Sequence, residues 1–219
     1  MGKIKYIDKI RKFFKESPIV DINSLKKYIP HKNKKYIYLL ISNLLKKKEI
    51  KKITRGYYTL YDDASLIVYC FKPSYLGLQN ALSFHNLWEQ ETNPSVITTG
   101  NIRTGLRKVF NRNVNIRRIN WKYMFGFEYY KYPLEDRDIY LPYSDIEKTF
   151  IDMIYFRQYL DEETLMEFEE KMNRKKLKSY LNKYPKKFQL KVMANLNKIQ
   201  QPKMKELWDN KKDEIWENA

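Results

Sequence analysis

Apolar residues recur at helical spacing from the start of the chain. Ile4, Ile7, Ile10, Phe13 and Phe14 predict an amphipathic helix over residues 3–16, stopped by Ser17-Pro18. Val20-Asp21-Ile22 reads as a short extended piece. Ile22, Leu25, Tyr28 and Ile29 then mark a second, short helix that Pro30 breaks. Asn33 is a good N-cap for a third helix, whose apolar stripe is Ile37, Leu40, Ile41, Leu44 and Leu45. Two β-prone runs follow, residues 50–53 and 57–61. Thr54-Arg55-Gly56 joins them, with Gly where a turn needs positive φ.

The pattern changes after residue 61. Asp62-Asp63 is the first acidic pair and sets the expected boundary between a domain of residues 1–61 and one of residues 62–219. Residues 66–71 form a short apolar run, helix or strand by periodicity alone. Ser74 is expected to cap a helix carrying Leu78, Ala81, Leu82, His85 and Trp88, and residues 96–99 to form a strand. Residues 106–132, rich in Val, Ile, Phe, Tyr and Trp and broken near Asn111 and Gly126, suggest antiparallel strands. Ser144-Asp145-Ile146-Glu147 has capping-box spacing and opens a helix with Ile146, Phe150, Met153 and Ile154 inward. From Asp161 to Trp216 the pattern is helical, interrupted near Asn173, Pro185 and Pro202. The expected fold is therefore α+β: an N-terminal helix–helix–helix–hairpin module, then a mixed α/β domain with a helical tail.

Helix, short helix, turn, helix, β-hairpin is the order of a winged helix–turn–helix, in which the third helix protrudes into a major groove. Charge sharpens this reading. The chain has 43 Lys or Arg against 26 Asp or Glu, a net of +17 over 219 residues. Residues 1–61 hold 17 cations and 4 anions, and the remainder 26 and 22. Segregation of this kind points to a polyanion-binding module joined to a near-balanced body, although winged helices also serve as protein–protein modules. No apolar run reaches the ~18–20 residues that a membrane span needs, and Met1 to Lys15 lacks the apolar core of a signal peptide. With one cysteine and two histidines, neither a disulfide scaffold nor a zinc finger is expected. The expectation is a cytoplasmic chain without a membrane partner and without a cofactor.

Helical geometry selects candidate DNA-contacting residues. Lys32, Asn33, Lys34, Lys35, Tyr36, Leu39, Asn43 and Lys46 fall at the start of the third helix or away from its apolar stripe. Lys34 and Lys35 sit in the first turn, where each cation opposes the helix dipole by ~0.3–1 kcal/mol unless an external anion such as phosphate is bound there. Leu39 suits a thymine methyl, and Asn43 a base edge or only water. Arg55 is placed at the wing tip, to enter a minor groove, touch a flanking phosphate or remain solvated. His31 is read as a solvated loop residue.

The second half carries residues that suggest a family. The segment Pro73-Ser74-Tyr75-Leu76-Gly77-Leu78-Gln79-Asn80-Ala81-Leu82-Ser83-Phe84-His85-Asn86-Leu87 resembles the PSYLSLESALSYHGL-like stretch of AbiEi-type antitoxins. Ser144-Asp145-Ile146-Glu147-Lys148-Thr149-Phe150-Ile151-Asp152-Met153-Ile154-Tyr155 is similar to their A-x-P-E-K-A-L-L-D-L-L-Y helix. The Gly56-Tyr57-Tyr58 wing and the tail around Tyr184-Pro185-Lys186-Lys187 fit as well. Asn86 departs from the family's Gly, and Ile146 from its Pro. The resemblance implies a repressor that binds inverted repeats in its own promoter as double-stranded DNA, with a homodimer on the DNA among the expected arrangements. It also implies an antitoxin paired with a nucleotidyltransferase-like toxin.

The alternative from another class is a metal-dependent nuclease targeted by the winged helix. Glu128, Lys131, Asp136 and Asp138 are its candidate residues, although residues 135–138 read first as an exposed acidic turn. His85 reads as a hydrogen-bonded core residue, Asp152 as half of an i,i+4 ion pair with Lys148, and Cys70 as a small buried apolar residue. Arg174, Lys175, Lys176 and Lys178 form a basic segment expected to face solvent, where it could extend a DNA footprint or meet an acidic partner.

Overall fold

A computed structural model describes residues 6–29 and 34–197. It is α+β with two sheets. Three helices and a small sheet open the chain: α1 (Ile7–Glu16), β1 (Val20–Asp21), α2 (Ile22–Tyr28), α3 (Lys34–Lys46), β2 (Lys51–Thr54) and β3 (Tyr57–Thr59). The expected cap Asn33 and the breaker Pro30 lie outside the described residues. β3 is the middle strand, antiparallel to both neighbours, with Val20 opposite Tyr58 and Lys52 opposite Tyr58 on the other side. Gly56 has φ +82°, the left-handed conformation that the turn before β3 requires.

Alternation of apolar faces makes one core from these elements. Ile10 and Phe14 of α1, Leu25 of α2, and Ile37, Leu40, Ile41 and Leu44 of α3 are almost completely buried together with Val20 and Tyr58. α2 starts where the Asp21 carboxylate accepts the backbone N–H groups of Asn23 (2.8 Å) and Ser24 (3.1 Å), which satisfies two orphan donors. Arg11 clamps Glu49 through two hydrogen bonds of 2.7 Å, holding α1 against the entry to β2.

The second sheet has the strand order β6-β7-β5-β4-β9-β8, formed by β4 (Ser74–Leu76), β5 (Ser95–Thr98), β6 (Gly105–Val109), β7 (Arg112–Arg118), β8 (Phe127–Pro133) and β9 (Asp138–Ser144). The β6–β7 hairpin is antiparallel, as residues 106–132 suggest, but β7 then runs parallel to β5 instead of pairing with β8. The apolar run after Asp63 is a 3-10 helix, Ala64–Phe71. Ser74 caps no helix. It lies in β4 opposite Thr98, its hydroxyl donates to Val68 O at 2.5 Å, and the following helix, α4 (Gln79–Phe84), ends before His85 and Trp88. The remaining helices are α5 (Ile146–Tyr155), α6 (Glu162–Lys171), α7 (Arg174–Leu181) and α8 over residues 186–197.

The chain folds as two compact units. One takes residues 1–76, 93–124 and 129–143, and the other residues 77–92, 125–128 and 144–219. The first unit holds both sheets except for the end residues of β8 and β9. The boundary expected at residues 61–62 falls inside it, because the acidic pair is not a free linker. Asp62 pairs with Lys51 at 2.9 Å, and Asp63 caps the 3-10 helix through Ser65 N–H. Tyr132 donates to Asp63 and Tyr61 to Asp136, each at 2.6 Å, and Arg137 donates to Lys15 O. These bonds fasten the N-terminal module to the larger sheet. Replacing the fully buried Leu40 by Ala is expected to cost about 2–5 kcal/mol. Chemical denaturation should then show loss of the α1–α3 core; an unchanged midpoint would contradict the packing described.

Candidate nucleic-acid interface

α3 buries one stripe and exposes the other. Lys35 and Lys46 are exposed, Leu39 retains 54% of its surface and Tyr38 44%, and Asn43 is half-buried. Tyr36, expected on the outward face, is half-buried and packs against the core, while Tyr38, which spacing assigned no role, takes the outward position. Lys32 and Asn33 lie outside the described residues, as does the side chain of Lys34. No acidic residue occupies the first turn of α3, so its positive dipole end has no intrahelical counter-charge.

Beside this face lies an open groove of about 570 Å³, walled by α2, α3 and the β2–β3 hairpin. Lys26, Lys52, Arg55 and Tyr38 line it together with Asp21 and Tyr57. Arg55 thus reaches a concave surface shared with α2 and β2. Lys26 and Lys52 carried no distinguishing signal in the sequence. Each belongs to a Lys-Lys pair, and only the packing of α2 and the pleat of β2 decide which lysine faces the groove.

Sorting charge by folded unit instead of by chain position sharpens the asymmetry. Residues 92–127 contain seven Lys or Arg and no Asp or Glu, and almost all of this segment lies in the first unit. By sequence that unit carries +18 and the other −1. Of the carboxylates of the nuclease alternative, Asp138 pairs with Lys131 at 2.7 Å, and Asp136 accepts from Tyr61, 75 residues away in the chain. Among the described residues no group of three or more His, Cys, Asp or Glu could hold a metal ion, and no helix is long and apolar enough to cross a membrane. Burial pushes the Cys70 thiol up to about 12, which keeps it protonated at neutral pH.

The second unit is organised around α5, whose residues 147–154 are all buried. The N-cap is Asp145, not Ser144. Asp145 accepts Lys148 N–H at 2.8 Å, whereas Ser144 ends β9 and its hydroxyl meets Thr149 Oγ1 at 2.7 Å. Glu147 consequently closes no capping box. It accepts Asn173 N–H at 2.7 Å and pairs with Lys176 at 3.3 Å. Lys176 also reaches Asp145 at 3.1 Å, and Tyr180 donates to the same carboxylate at 2.7 Å. Lys148 and Asp152 form the expected i,i+4 pair, but both side chains are entirely buried, and Lys148 also donates to Tyr184. Arg174 pairs with Glu169, yet Arg174, Lys175 and Lys178 are exposed as expected, and only Lys176 is half-buried. Gly126 (φ +70°) closes this network: a Cβ there would meet Lys148 Cβ at 2.8 Å and Tyr180 Cε2 at 2.9 Å.

His85 is half-buried. Its Nε2–H donates to Ser144 O at 2.6 Å, and burial lowers its pKa.

No protein-family model matches this chain, and no curated protein matches it.

Two outcomes follow for the second unit. Truncating Asp152 to Ala strands a buried ammonium and should cost about 3–5 kcal/mol, whereas replacing Lys148 and Asp152 together by Met and Leu should be much less damaging. Thermal unfolding of the single and double variants checks this; equal losses would contradict the pairing. His85 binds its proton less readily in the folded state than in the unfolded chain, whose His titrates near ~6.5. Its contribution to stability is therefore complete above that pH and declines as pH falls below it. His85→Gln should flatten the stability profile on the acid side of about pH 6.5, measured by thermal unfolding across a pH series.

Proposed function

We propose that the chain is a DNA-binding transcriptional repressor, with residues 1–61 acting as a winged helix–turn–helix and the protein as a whole serving as antitoxin to a nucleotidyltransferase-like toxin. The observation that carries this reading is the outward face of α3 beside a lysine- and arginine-lined groove, on a unit of charge +18. Helix–strand–helix–helix–hairpin order with an antiparallel β1-β3-β2 sheet supports the winged-helix assignment. In this reading α3 enters a major groove. Lys35 and the N-terminal turn, with Lys32, Asn33 and Lys34, hold phosphate; Leu39 and Asn43 meet base edges; Tyr36 supports α3 from its half-buried position. Lys46 closes the far end of the helix, and Arg55 carries the wing to the flanking backbone. Lys26 and Lys52 add cations that follow the same strand of phosphates. The antitoxin role rests on the resemblance of the residue 73–87 and 144–155 segments to AbiEi-type antitoxins.

Fluorescence anisotropy with the DNA preceding the reading frame tests the first part. If ~6 phosphates are neutralised per protomer, log K should fall with log salt with a slope of about −5. Lys35→Ala should weaken operator and random duplexes alike, whereas Leu39→Ala or Asn43→Ala should reduce discrimination between them by ~1–3 kcal/mol. A slope near zero contradicts DNA binding, and equal losses on both duplexes for all three variants contradict reading by α3. Growth rescue by the full chain, in cells expressing a toxin encoded beside it, tests the second part; absence of rescue contradicts it.

A further inference from the structure

The β6–β7 hairpin has two unlike faces. Val109, Val114 and Ile116 point to one side and are buried. On the other side the register places Leu106 opposite Asn115 and Lys108 opposite Asn113, with Arg117 next along β7. Lys108 and Asn113 are exposed, Asn115 and Arg117 are half-buried, and Leu106 retains 75% of its surface. This shelf lies at one edge of the sheet, since β6 is its outermost strand.

Its chemistry is one-sided. Two cations and two amides stand together in a segment, residues 92–127, that contains no Asp or Glu at all. Neither Lys108 nor Arg117 takes part in an ion pair described among these residues. Arg117 Nε is shielded from solvent and lacks a hydrogen-bond partner among the described residues. Because that N–H is closed to an incoming ligand, only the solvent-facing part of this half-buried side chain can meet an acceptor. Phosphate oxygens suit it, and they suit an ammonium and amide N–H donors equally. An acidic protein surface offers carboxylate oxygens to the same donors; the unit's charge of +18 favours a polyanion, and a protein contact is an outcome of the test.

We propose that the shelf of Lys108, Asn113, Asn115 and Arg117 is a second nucleic-acid site, which holds the phosphodiester backbone of the DNA that α3 reads. This inference rests on the DNA-binding reading above. It makes the larger sheet a contributor to affinity, so DNA binding is not confined to residues 1–61.

The test uses the full chain and a duplex of about three helical turns, roughly 30 base pairs, so that contacts beyond the α3 site have room. Lys108→Glu with Asn113→Asp places two carboxylates on exposed positions of the shelf; circular dichroism confirms folding. Affinity for operator and random duplexes should fall about tenfold or more, and the salt slope should flatten by about 1, the share of one lost phosphate contact. Lys108→Arg should retain wild-type affinity. A parallel variant, Lys35→Ala with Lys46→Ala, probes α3 alone. If it loses affinity while the shelf variant binds like wild type, DNA binding stands and the shelf proposal is overturned. A shelf variant that keeps DNA affinity but no longer rescues growth against the toxin also overturns it, in favour of a protein contact. If wild type shows no salt-dependent binding, the functional reading fails and the shelf proposal with it.

Discussion

Mutual repulsion among cations is the constraint to which this fold answers. A chain with 43 Lys or Arg and 26 Asp or Glu cannot neutralise itself, and the two units respond differently. The second has near-balanced charge and engages several cations in pairs: Lys176 serves two carboxylates, Arg174 serves Glu169, and Lys148 is taken wholly out of water against Asp152. The first leaves most of its cations outward, on α3, around the α2–hairpin groove and along β6–β7. Such a unit folds because its core is aliphatic and aromatic, but its surface energy falls when a polyanion arrives. In the proposed function, the same imbalance that weakens the isolated unit is a source of affinity.

Burying Lys148 makes the second unit unforgiving. An ammonium at zero exposure is tolerated only with a carboxylate beside it and further donors and acceptors satisfied around it. Asp145, Tyr180, Tyr184 and the glycine at 126 form the surroundings that make this so, and each depends on its neighbours' geometry. The first unit relies instead on interdigitated aliphatics, where single methylene changes are felt but no unpaired charge is at stake.

Hydrogen bonds from Tyr61, Tyr132 and Arg137 tie the N-terminal module to the larger sheet within one unit. The change of pattern at Asp62-Asp63, the first acidic pair, suggests a domain boundary there. Both aspartates are spent on local structure, one in an ion pair and one as a cap and acceptor. The consequence for function is that the helices and the basic hairpin belong to one body.

Local physics made much of this legible beforehand. The α3 stripe, the β2–β3 turn at Gly56, the β6–β7 hairpin and the Lys148–Asp152 pair all follow from periodicity, turn chemistry and i,i+4 spacing. Choices between near-equal neighbours did not. Tyr36 and Tyr38 are both amphipathic, and the packing partner decides which turns inward. Ser144 and Asp145 can each cap a helix, and the end of β9 consumes the serine. Which lysine of Lys26-Lys27 or Lys51-Lys52 faces the groove, and that β7 joins β5 instead of β8, depends on pairings distant in the chain. The sequence by itself determined the elements of the N-terminal segment, their apolar faces and its basic bias, because those rest on contacts a few residues apart. Only the tertiary structure decided which cations are neutralised internally and which stay exposed, because that depends on carboxylates brought together from far along the chain.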